Sequence, residues 1–64
     1  MLNPGDSIKI TIQDAGGNPY TSPFKIVEYD DGLLKVVERL EDGGEGKVMI
    51  YNMRSTKFLG VEVE

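Results

Sequence analysis

The chain of 64 residues contains no cysteine, no histidine and no tryptophan. Without cysteine there is no disulfide to brace a small domain, and without cysteine or histidine the common zinc sites cannot be assembled, so no metal site is expected. The same two absences remove most nucleophile and general-base pairs, leaving only Ser-Lys and carboxylate arrangements; we expect no enzyme and no cofactor. Basic residues are few, seven Lys and Arg against eleven Asp and Glu, for a net charge of −4. Duplex DNA, which demands clustered positive charge, is therefore a poor partner. No apolar run approaches the roughly 20 residues of a membrane-spanning helix, and no membrane association is expected. The opening Met1-Leu2-Asn3-Pro4-Gly5 lacks the basic and apolar regions of a secretion signal, and with the missing cysteine this gives a cytoplasmic expectation.

A chain this short has room for a single domain, residues 1–64, with one modest core. Small domains draw extra stability from disulfides, metals or partner chains, and here oligomerisation is the support that remains.

What the sequence does contain is β-strand pattern. "SIKITIQ", Ser7 to Gln13, alternates strictly, with Ile8, Ile10 and Ile12 on one face and Ser7, Lys9, Thr11 and Gln13 on the other. "DAGGNPYTSP", Asp14 to Pro23, has two Gly and two Pro and predicts a long loop or irregular hairpin. "FKIVEY", Asp30-Asp31-Gly32 and "LLKVVERL" predict a tight hairpin, because Asp-Gly supplies the positive φ such turns require. "EDGGEG", Glu41 to Gly46, reads as an exposed turn. "KVMIYNM" follows, with Val48 and Ile50 opposed to Met49, Tyr51 and Met53. "KFLGVEVE" places Leu59, Val61 and Val63 opposite Phe58, Gly60, Glu62 and Glu64. Gly and Pro interrupt every window that could hold a helix. The expectation is an all-β protein: five short antiparallel strands, strongly bent into a small barrel that limits exposed edges, with no substantial N-terminal helix. SH3-like, Sm-like and OB-like arrangements all satisfy this pattern.

Two clusters carry candidate chemistry. Glu28, Asp30 and Asp31 offer oxygens to a hard cation, but their spacing matches no EF-hand loop, and they read as solvated turn acids. "YNMR", Tyr51 to Arg54, combines a ring, an amide, a thioether and a guanidinium. Such groups stack on bases and bond to their edges. The same four residues also make an ordinary strand corner, since Asn tolerates left-handed backbone and Met fills gaps.

Taken together, "FKIVEYDDGLLKVVE" and "VMIYNMRSTKFLGVEV" resemble the two signature regions of the Sm-like proteins, which include Sm and Lsm proteins and the bacterial RNA chaperone Hfq. The resemblance covers about residues 6 to 64. Tyr29-Asp30-Asp31-Gly32-Leu33-Leu34 looks like the Asp-containing turn of the first region, and Met49-Ile50-Tyr51-Asn52-Met53 stands where the second ends in Ile-Arg-Gly or Tyr-Lys-His. Neither Arg-Gly nor Lys-His is present, and Leu33 or Leu34 stands where Sm proteins usually carry Asn. The resemblance implies a bent five-stranded barrel in a homo-oligomeric ring of about five to eight chains, strand four of one subunit pairing with strand five of the next. The implied interface is Met49, Tyr51, Phe58, Leu59, Val61 and Val63. It further implies single-stranded RNA at the pore: Tyr51 stacking, Asn52 reading a base edge, Arg54 meeting phosphate, and Asp31 with Gly32 shaping the pocket. The alternative is an SH3-like or Sm-like protein-interaction or structural barrel that does not bind nucleic acid.

Overall fold

The computed structural model describes residues 2–64. Five strands follow one another in the chain: β1 Ser7–Gln13, β2 Pro19–Asp30, β3 Leu33–Arg39, β4 Glu45–Asn52 and β5 Phe58–Val63. There is no helix among the described residues. The strands form one antiparallel sheet in the order β4-β3-β2-β1-β5. No backbone ladder joins β4 to β5, so hydrogen bonding does not close the sheet into a barrel.

Each strand follows from its residues. The isoleucines of β1 meet Phe24 of β2 and Val61 of β5 in register, Ile8 opposite Phe24 and Ile10 opposite Val61. On the other face Thr11 and Thr21 share a hydroxyl hydrogen bond of 2.7 Å across the same ladder. The β2–β3 hairpin turns on two residues, Asp31 at φ 48° and Gly32 at φ 80°. Positive φ at both positions matches the right-handed twist of the flanking strands, and Asp and Gly occupy the left-handed region more readily than most residues do.

Of the long loop or irregular hairpin expected over Asp14–Pro23, the structure forms a hairpin, with β1 paired to β2 around a short turn. Asp14 Oδ1 accepts hydrogen bonds from the Gly16 and Asn18 amides, both at 2.9 Å, closing a compact turn. β2 begins immediately after it at Pro19. Its first half tolerates two prolines because it has one neighbour: the ladder to β3 starts only at Phe24. A proline nitrogen on the open side costs no ladder bond.

The core lies on one face of the sheet, where Ile8, Ile10, Phe24, Ile26, Leu34 and Val36 are buried. Each such side chain contributes about 1.5–3 kcal/mol through removal from water. Met49, Tyr51, Phe58 and Val61 are half-buried against this cluster. β4 and β5 stand at opposite ends of the pairing order, yet their rings approach: the Tyr51 and Phe58 centroids are 6.4 Å apart. The sheet therefore curls over its own core, its two edges meeting through side chains alone.

A register shift between Thr11 and Ile12 alters the expected faces of β5. Ile12 pairs with Phe58 and Thr11 with Gly60, leaving Leu59 as the extra residue. A bulge of this kind reverses the alternation beyond it. Phe58 and Val61 consequently both turn to the core, whereas a strict period of two had opposed them.

Candidate functional site

The Asp-Gly turn and the corner after β4 lie side by side. Leu33 pairs with Asn52, and the Met53 amide donates to the Gly32 carbonyl at 2.8 Å. Asn52 Oδ1 accepts from the Arg54 amide at 2.9 Å, which turns the chain. That turn carries the Arg54 guanidinium back over the hairpin, where Nη2 reaches Asp31 Oδ1 at 2.9 Å. A Cβ built on Gly32 would stand 3.2 Å from Arg54 Cζ, so glycine serves both the backbone angle and the close approach. Four of the five residues expected at an RNA site, Asp31, Gly32, Asn52 and Arg54, thus converge across 23 positions of sequence.

Both members of the ion pair are open to water, with side chains 70% and 83% exposed. Such a pair adds at most about 1 kcal/mol. Glu28, Asp30 and Asp31 do not converge on a metal-binding arrangement among the described residues.

Tyr51 is not part of this corner surface. Its ring is held between Phe24, with centroids 5.6 Å apart at 70°, and Phe58. The hydroxyl donates to Met49 Sδ at 3.9 Å. Burial raises the phenol above its ordinary 10.0, and nearby Tyr20 and Glu38 add to the rise. These neighbours place the hydroxyl end of Tyr51 at a second site, a cleft of about 290 Å³ lined by Tyr20, Phe24, Glu38, Arg39, Met49 and Tyr51. Sequence pattern did not reveal this cleft. Tyr20 falls within the expected loop or irregular hairpin, and Glu38 belongs to no candidate cluster.

Among the residues expected at a subunit interface, Met49, Tyr51, Phe58 and Val61 pack on the chain's own core. Leu59 and Val63 are exposed on the β5 edge. On the β4 edge the exposed apolar residues are Val48 and Ile50, 57% and 65% exposed, which the interface expectation had left out. Between the two edges runs a largely apolar groove lined by Ile12, Ile50, Tyr51 and Phe58.

A scan against protein-family models and searches of curated proteins and of solved structures found no match to this chain.

Proposed function

We propose that the chain is a subunit of a homo-oligomeric, Sm-like ring, in which β4 of one copy pairs with β5 of the next and the joined sheets complete small barrels. The observation that carries this reading is the state of the two edges. Both β4 and β5 lack a strand partner on one side, and both expose apolar side chains there, Val48 and Ile50 on one and Leu59 and Val63 on the other. Exposed edges of this kind template strand addition, and a second copy offers the complementary edge. In that assembly the corner formed by Asp31, Gly32, Asn52 and Arg54 is the contact surface for single-stranded RNA, with Asn52 and Arg54 as its polar groups.

Light scattering over a dilution series tests the assembly, with an expected mass of about five to eight chains. A monomer at all concentrations overturns it. Titration with short oligo(U) and oligo(A) at low salt tests the ligand, and affinity weaker than about millimolar for both removes RNA from the reading. One observation favours a second reading, a protein-interaction or structural barrel that does not bind nucleic acid: the Arg54 guanidinium is already paired with Asp31 in a chain of net charge −4. A ring-sized mass with no oligonucleotide binding supports that alternative.

A further inference from the structure

Glu38 sits where alternation calls for an apolar side chain. It follows Leu34 and Val36 on the core face of β3 and lies opposite buried Phe24 across the β2 ladder. No ion pair engages its carboxylate among the described residues. Its Oε2 lies over Gly46, where an added Cβ would stand only 2.8 Å away. Glu38 is thus half-buried, with its carboxylate beside the β4 backbone at Gly46.

We propose that the cleft bounded by Tyr20, Phe24, Glu38, Met49 and Tyr51 binds an alkylated ammonium group. Phe24 and Tyr51 pack edge to face, with centroids 5.6 Å apart, at the base of the cleft, and Tyr51 turns its hydroxyl end toward it. Tyr20, which is 48% exposed, supplies aromatic surface at the mouth. Aromatic surface attracts cations, and it favours weakly hydrated ones, since a bare ammonium gives up more hydration on entering. Met49 adds a polarizable apolar contact suited to methyl groups. Glu38 then supplies the opposite charge in a setting where water screens it less than at the surface.

Arg39, the cation in the lining, is already committed. Its Nη2 lies 2.7 Å from Glu64 Oε2 and 3.5 Å from the Ile8 carbonyl. The cleft therefore presents the Glu38 carboxylate beside a guanidinium paired through Nη2, whose buried Nε has no hydrogen-bond partner among the described residues. Burial first, then Tyr20 and last Glu38 raise the Tyr51 phenol, so the carboxylate lies near that hydroxyl. The volume, about 290 Å³, lies at the small end of ligand sites and suits a headgroup rather than an extended ligand. The group can belong to a free quaternary amine or to a methylated lysine of a polypeptide.

NMR titration of the full chain tests this, reading the Met49 methyl and the Tyr20 and Tyr51 ring signals. Choline is expected to shift them, and its neutral isostere 3,3-dimethylbutanol to bind about tenfold more weakly. Glu38→Gln should weaken choline by about tenfold and leave the neutral isostere unchanged. Tyr20→Ala, at an exposed position, should weaken choline with the spectrum otherwise folded. A trimethyllysine peptide separates the two sources: tighter binding than choline assigns a polypeptide, and weaker binding a free amine. Equal affinity for choline and its isostere, an unaffected Glu38→Gln variant, or inorganic phosphate shifting these signals in place of choline overturns the proposal.

Discussion

Tyr51 divides its side chain between two environments. The ring packs between Phe24 and Phe58, while the hydroxyl faces Met49, Tyr20 and Glu38. Burial and then those neighbours favour the neutral phenol, so the folded-state pKa lies above the unfolded value of 10.0. The stability linked to that shift is fully present below about pH 10 and is lost as pH rises through the folded-state pKa. Thermal melts between about pH 9 and about pH 11 should therefore show a steeper loss for the wild type than for Tyr51→Phe. Equal slopes would show that this phenol does not sense its surroundings. At this scale four of the five residues expected at one corner come together. Asp31, Gly32, Asn52 and Arg54 do meet. Tyr51, one position before Asn52, turns to the opposite side of the sheet because successive strand residues alternate.

Among the elements, β4 and β5 carry the functional argument. β4 exposes Ile50 opposite Lys35 of β3, so Ile50→Glu removes apolar edge surface and creates an opposite-charge cross-strand pair. We expect this variant to keep its β-sheet circular dichroism while its light-scattering mass falls to that of a monomer. An unchanged mass places the subunit interface elsewhere. Element identity was legible where alternation was strict, as in β1, and where the turn residues left few options, as at Asp31-Gly32. It was hidden in two places for physical reasons. Pro19 and Pro23 left a loop and an irregular hairpin both open, and they occupy the half of β2 that pairs only with β1. Leu59 looks like an ordinary strand residue, and its role as a bulge depends on pairing with β1, a partner far away in sequence.

The whole molecule rests on a small core, and Leu34 is among its fully buried side chains. Leu34→Ala should cost about 2–5 kcal/mol, against a total of about 3–10 kcal/mol expected for a domain of this length. Urea unfolding should consequently show a midpoint lowered by a large fraction, and a loss below about 1 kcal/mol would mean that the site collapses to fill the space. If copies associate, that midpoint also rises with protein concentration, which links stability to assembly. Sequence by itself determined the all-β class and the β2–β3 hairpin, because these depend on local periodicity and turn residues. Tertiary structure decided which distant residues meet. Curling the sheet brought β4 and β5 together at Tyr51 and Phe58, set Arg54 against Asp31, and enclosed Glu38 with Tyr20 and Tyr51. Such meetings depend on long-range register, bulges and curvature, and no short window of sequence encodes them.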